Sequence, residues 1–229
     1  MIKNYILKIQ MSNSVIFDLD DTLYKEIDYV KSGFMAVSSF ISDETKIITQ
    51  DLYDMLISNY SLDKNTFLKL INFYNLNISL EDIVDCYRSH LPSINLDINT
   101  KKVLESLKNK NQLKGLLTDG RSIQQRNKIK ALNLDIYFND IVISQEFGSG
   151  KLSVENYLHF SGRNDSNYFY IGDNTEKDFF WANKLGWKTI CLKDNGQNIH
   201  RQNFELASEY LPDHIVNNIL EITSIINEK

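Results

Sequence analysis

The sequence predicts an α/β fold, a doubly wound parallel sheet with a helical domain inserted after its first strand. Three observations carry this. From about residue 99 onward, short apolar strand-like runs alternate with stretches of helical periodicity. One strand-like run, Ser14-Val15-Ile16-Phe17, stands far ahead of that alternation. Between the two, about residues 25–92, apolar residues recur every three or four positions and no strand-like run interrupts them. Together they describe a Rossmann-like core built from residues 1–24 and 93–229, opened by a helical insert of residues 25–92.

Each element has its own signal. The N-terminal MIKNYILKIQM alternates apolar and polar residues without a continuous apolar segment. It reads as an edge strand or a loose tail rather than a signal peptide, and Met11 is a candidate start. The run ending at Phe17 reads as a buried strand feeding Asp18-Leu19-Asp20-Asp21-Thr22. In the insert, Ile27, Val30, Phe34, Val37 and Ile41 make one helical face. Ile47, Ile48, Leu52, Met55 and Leu56 make a second, and Phe67, Leu70, Ile71 and Tyr74 a third. Ser79 reads as an N-cap with Asp82 three residues on, ahead of Ile83, Val84 and Tyr87. The aromatic residues Phe34, Tyr53, Tyr60, Phe67, Phe73, Tyr74 and Tyr87 are expected to pack inside the insert. Pro92 to Asp97 is the return linker. The core then reads helix 99–110, strand 113–118, helix 122–132, strand 141–143, helix 153–160, strand 168–171, helix 177–185 stopped by Gly186, strand 188–192, and a last helix from Pro212 to Ile226.

Composition narrows the function. With 229 residues, 42% hydrophobic and 24% charged, the chain is ordinary globular material able to bury a full core. Lys plus Arg is 25 and Asp plus Glu is 30, a net charge of −5. That balance argues against general nucleic-acid binding, which runs on excess positive charge. No apolar run reaches the roughly 18–20 residues a membrane span needs. The expected location is the cytoplasm, with Cys86 and Cys191 buried and reduced. No heptad pattern runs long enough to indicate an oligomeric state.

Open α/β sheets bind ligands outside the carboxyl ends of their strands. Asp18 and Asp20 fall after the first strand, Thr118 after the second, Gly148 to Lys151 after the third, and Asp173 with Asp178 after the fourth. A single Asp there is often a helix cap or turn residue. The whole set recurring at successive strand ends is more than capping needs. So many carboxylates on one rim require a cation or a proton to offset them. Hard oxygen ligands suit Mg²⁺. The four histidines (His90, His159, His200 and His214) are too scattered for a His-based metal site.

These residues resemble the haloacid dehalogenase superfamily, specifically its phosphatases with a helical cap inserted after the first strand. Asp18-Leu19-Asp20-Asp21-Thr22 resembles the family's DxDxT motif. Thr118 in LLTDGR is similar to its strand-end Thr or Ser, Lys151 to its lone Lys, and Gly172-Asp173 through Asp178 to its GDxxxxD motif. The motifs follow the family's order and the resemblance covers nearly the whole chain. One departure is Leu152 after Lys151, where many relatives have Pro.

The resemblance implies a Mg²⁺-dependent hydrolysis of a small phosphate monoester (a sugar phosphate, phosphoglycolate or a nucleotide). Asp18 is then the nucleophile that forms an aspartyl phosphate, and Asp20 the general acid and base. Crowding among carboxylates is expected to raise the Asp20 pKa and keep it protonated at the start. Mg²⁺ would be held by Asp18, the Asp20 backbone carbonyl, Asp173 and Asp178. Thr118 and Lys151 would contact the phosphoryl oxygens, with backbone N–H groups at Asp119 and Gly120 adding a cradle. Thr22 is expected to support the loop, Asp21 to face solvent, and Arg121 to lie at the surface or at substrate. Tyr24, Lys25 and Glu26 lie at the hinge into the cap. Alternatives are a phosphomutase or phosphotransferase of the same superfamily, haloacid dehalogenation, and a non-catalytic binding protein.

Overall fold

The computed structural model describes residues 12–60, 65–162 and 166–228. The readings of the N-terminal segment and of Met11 lie outside the described residues. The elements, in chain order, are β1 (Ser12–Phe17), α1 (Glu26–Thr45), α2 (Thr49–Tyr60), α3 (Thr66–Tyr74), α4 (Leu80–Ser89), α5 (Ile98–Asn109), β2 (Leu113–Thr118), α6 (Ser122–Ala131), β3 (Ile141–Ile143), α7 (Ser144–Phe147), α8 (Glu155–Leu158), β4 (Ser166–Gly172), α9 (Phe180–Lys184), β5 (Lys188–Leu192), β6 (His214–Val216) and α10 (Ile222–Asn227). Among the described residues the strands form one six-stranded sheet in the order β3-β2-β1-β4-β5-β6, parallel throughout.

The alternation of side chains along each strand divides the core into two layers. Val15 and Phe17 face the same layer as Leu116, Phe169 and Ile171, covered by Val103, Leu104 and Leu107 of α5 and Ile222 and Ile226 of α10. Ile16, Leu117 and Tyr170 face the opposite layer, with Tyr157, Phe160, Phe179 and Trp187. Both faces are thus apolar, which explains why these strands read as continuous apolar runs. Gly115 is required by this packing, since a Cβ there would lie 2.1 Å from the Phe160 ring.

Helices α1 to α4 follow β1 and bury a core of their own, Val30, Phe34, Val37, Ile41, Leu52, Leu56, Leu70 and Ile83. Ser79 caps α4 by accepting from the Asp82 N–H, and Asp97 caps α5 by accepting from Asn99 and Thr100. The aromatic expectation holds for Phe34, Tyr60, Phe67 and Tyr87, whose rings meet edge to face or tilted at 5.5–6.0 Å. It fails for Phe73, which is 71% exposed beside Tyr74. No helix of the described residues is long and apolar enough to cross a membrane.

Three boundaries differ from expectation. The last helix does not begin at Pro212. His214-Ile215-Val216 instead pairs with Ile190-Cys191-Leu192 as the edge strand β6. Asn218 then starts a new helical turn through a capping box with Glu221, and α10 follows. The helix expected over 177–185 is regular only over α9, because residues 174–179 turn tightly around Asp178. The helix expected over 153–160 is the single turn α8. The return linker from Pro92, the α5 and α6 spans and the αL position of Gly186 agree with the sequence reading.

Candidate active site

At the centre of the sheet the chain leaves β1 with β2 on one side and β4 on the other. That reversal of winding opens a crevice at the carboxyl ends of the two halves. Asp18, Thr118 and Asp173 are the residues that follow or end β1, β2 and β4, and all three are buried. They line a cleft of 120 Å³ with Asp20, Asp119, Lys151, Asn174, Lys177, Asp178 and His200, and with Asp21 and Glu26 at the start of the insert.

Asp18 is fixed from two directions. Thr22 Oγ1 donates to Asp18 Oδ2 at 3.1 Å, and Lys151 Nζ donates to Asp18 Oδ1 at 2.5 Å. Lys151 also donates to Asp178 Oδ1 at 2.7 Å. Its backbone N–H is held by Asp119 Oδ1 at 3.0 Å, so Asp119 shapes the lysine loop. Thr22 therefore orients the first aspartate rather than only bracing the loop. Leu152 in place of Pro leaves Lys151 fully seated and buried.

Asp178 lies one turn past β4 and folds back beneath it. Its Oδ2 accepts from the N–H groups of Asp173 at 3.1 Å and Asn174 at 2.9 Å. Gly172 makes the approach possible, because a Cβ there would sit 2.3 Å from Asp178 Oδ2. Asp173 is held from the other side by Asn198, whose Nδ2 donates to Asp173 Oδ2 at 2.8 Å.

Asp18, Asp173 and Asp178 offer carboxylate oxygens that all lie within 4.8 Å of one another, and all three residues are buried. Burial, helped by repulsion from Asp178 and Asp20 and opposed by the Lys151 charge and hydrogen bond, pushes Asp18 up to about 7. Burial together with Asp18 and Asp178 pushes Asp173 up to about 9. One lysine does not neutralise such a group. The oxygen-only donor set and the excess negative charge fit a hard divalent cation.

Asp20 departs from expectation. Its carboxylate does not join the cluster but turns to α6 and the following loop. Lys128 Nζ donates to Oδ1 at 2.7 Å, Tyr24 Oη to Oδ1 at 2.5 Å, and Gln125 Nε2 to Oδ2 at 2.8 Å. Burial alone raises its pKa, but the Lys128 charge and these three hydrogen bonds win and lower it below the ordinary value. The expected elevation by carboxylate crowding is corrected accordingly: the nearest charge is a lysine.

Two further readings change. Gly120 is not brought into the cleft, and its N–H donates to Ser144 Oγ at 2.9 Å. Asp21 does not face solvent. It is 2% exposed and accepts from the N–H groups of Glu26 and Ile199, both at 2.9 Å. Arg121 is exposed. Sequence reasoning missed Gln125, Lys128, Lys177, Asn198 and His200. Gln125 and Lys128 had a signal, since each stands one helical turn before an inward apolar residue, Ile129 and Leu132. Asn198 and His200 come from an irregular loop and had none.

The arrangement combines a fixed, buried carboxylate, a second carboxylate nearby, a buried lysine and a cluster suited to a metal. The sequence profile described as haloacid dehalogenase-like hydrolase matches residues 15–192. The chain is 27% identical to a glyceraldehyde 3-phosphate phosphatase of Methanocaldococcus jannaschii, over 94% of this chain and 97% of that one. It is 26% identical to the protein of the same name from Methanothermobacter thermautotrophicus, over 94% and 96%. A magnesium-bound HAD-hydrolase structure from Bacillus subtilis superposes with a TM-score of 0.65 at 16% identity, covering 95% of this chain and 100% of that one.

Proposed function

The chain belongs to the haloacid dehalogenase-like hydrolases, and within that family we propose that it hydrolyses a small phosphate monoester, a triose phosphate first among them, with Asp18 as nucleophile. The observation that carries this is the Asp18 carboxylate, buried at the end of β1 and aimed by Thr22 and Lys151 into a cleft of only 120 Å³. That volume suits a phosphoryl group on a short carbon chain. The names of the archaeal relatives support the triose phosphate class. The same site argues against dehalogenation, which uses neither a second aspartate at position 20 nor an acidic metal cluster.

Asp18, Asp173 and Asp178, with the Asp20 backbone carbonyl, would hold Mg²⁺, which when bound supplies positive charge to the phosphoryl oxygens and keeps Asp18 ionised. The protein's own groups do the rest. An Asp18 oxygen attacks phosphorus while the bond from phosphorus to the ester oxygen breaks. Asp20, an ionised carboxylate in the free site, takes up a proton as the substrate's phosphate brings negative charge beside it, and gives that proton to the departing alkoxide, which leaves as the alcohol. Lys151 stays beside the nucleophile and carries charge toward the phosphoryl group. Thr118 accepts from Gln125 Nε2 at 2.6 Å, so its own hydroxyl proton is left to donate to phosphate, with Asp119 alongside. Asp20, now a carboxylate, takes a proton from water as that water attacks the aspartyl phosphate. Orthophosphate leaves and Asp18 is restored. The helices of residues 25–92 act as the cap that closes over the cleft and excludes water, and the remainder of the chain is the catalytic core.

Orthophosphate release from a panel of esters, including glyceraldehyde 3-phosphate, phosphoglycolate, hexose phosphates and nucleoside monophosphates, tests the reading. Release is expected with Mg²⁺, absent with chelator and lost in Asp18→Asn. No release from any ester overturns the phosphatase reading. Transfer of the phosphoryl group to a sugar without release assigns a phosphotransferase instead.

A further inference from the structure

Helix α6 touches both the cleft and the insert, and Lys128 does both at once. On the cleft side, Gln125 donates to Thr118 and Asp20, and Lys128 donates to Asp20. On the insert side, Gln124 Nε2 donates to the Tyr29 hydroxyl at 3.1 Å. Asn127 Nδ2 donates to the carbonyls of Ser89 and His90 at 2.8 and 3.0 Å. Lys128 Nζ pairs with Glu26 at 3.5 Å and lies 4.4 Å from the centre of the Tyr29 ring. The side chain of Lys128 is 3% exposed. Both strands of chain that join insert to core, near residues 26–29 and 87–90, thus rest on one polar face of α6.

A buried lysine is costly unless every charge around it is matched. Packing the core needs none of this, because Ile129 already supplies the apolar contact of α6. We propose that Lys128, with Gln125, is the positioning residue for the acid and base Asp20, and that through Glu26 and Tyr29 it sets the Asp20 carboxylate according to the seating of the insert. The inference rests on the phosphatase reading above. Opening of the insert withdraws Glu26 and Tyr29 from Lys128, and the lysine then carries Asp20 with it. Closure returns the carboxylate to the leaving oxygen.

The test separates positioning of an acid from general damage. Leaving groups of high pKa need the acid, whereas p-nitrophenolate does not. Lys128→Met is compared with wild type on the best alkyl phosphate of the panel and on p-nitrophenyl phosphate, the latter read as a pre-steady-state burst. The expected result is a loss of about 100-fold in kcat on the alkyl ester, within the usual range for acid–base catalysis. The burst rate is expected to change by less than about fivefold, with KM little altered. Lys128→Arg is expected to restore part of the alkyl-ester rate. Lys128→Gln, should Lys128→Met fail to fold, is expected to show the same selectivity at smaller size. Equal losses on both esters, or no loss on either, overturn the proposal while leaving the phosphatase reading intact. Absence of release by the wild-type protein overturns that reading itself.

Discussion

The carboxylates that line the cleft are held by other residues, and most of the holders are buried polar side chains. Asp178 is the clearest case. It spends one oxygen on two backbone N–H groups and the other on Lys151. Its place depends on the missing side chain at position 172. Gly172→Ala is expected to displace Asp178 and, with it, Asp173 and Lys151. A loss of Mg²⁺-dependent phosphate release exceeding about 100-fold, with the chain still folded by circular dichroism, is the expected outcome, since misplacement by about 1 Å already costs on that order. Most of these residues were legible in the sequence. Asp18, Thr118, Lys151, Asp173 and Asp178 declare themselves by falling at strand ends in one order. Lys128 was marked only by its place one turn before Leu132, because QQRNK otherwise reads as a solvated helix face, and only the pairing with Asp20 and Glu26 makes burial of that charge tolerable. Asp21 was missed for a related reason. Its φ of +59° places it in a tight turn where both carboxylate oxygens satisfy N–H groups of distant segments.

Among elements, the helical pair α1 and α4 shows how little space the insert leaves. Gly33 faces the Tyr87 ring, and a Cβ there would come within 2.4 Å of it. Gly33→Ala removes a flexible residue from a helix, which favours the fold by roughly 1 kcal/mol through helix propensity. It also forces α4 outward, which costs about 1–3 kcal/mol as overpacking. Net destabilisation in urea denaturation is expected, and a gain in stability would mean that Tyr87 moves aside freely. Long elements were legible because their periodicity repeats. α5 agrees with the sequence to within a residue, and α1 contains the whole expected face from Ile27 to Ile41. Short ones were not. β6 has three residues, too few to show alternation, and sits between Asp213 and Asn217 where a helical reading runs straight through. Its pairing partner β5 supplies what the local sequence lacks.

For the whole molecule, buried acids set how stability responds to pH. Asp18 is raised from 3.8 to about 7, Asp173 from 3.8 to about 9, and Glu26 from 4.5 to about 8, each chiefly by burial. Between about pH 4 and pH 9 the folded, metal-free protein therefore binds more protons than the unfolded chain. Stability must then fall as pH rises through that window. The melting temperature of the metal-free protein is expected to be higher at pH 5 than at pH 8. Saturating Mg²⁺ is expected to reverse the trend, because the cation binds the deprotonated carboxylates. At about 100 times its dissociation constant it adds roughly 2.7 kcal/mol, or about 5–10 °C in Tm for a chain of this size. A melting temperature indifferent to Mg²⁺ at pH 8 would count against the metal assignment. The central position of β1 has a further consequence for synthesis. Its partners arrive late: Lys151 lies 133 residues after Asp18, and the Ile199 N–H that holds Asp21 lies 178 residues beyond it. The insert, whose core is drawn almost wholly from consecutive helices, has everything it needs soon after it leaves the ribosome. The nascent chain therefore carries a finished helical bundle beside an unfinished cleft, and its buried Asp18 waits for a cationic partner until the segment around residue 151 has emerged.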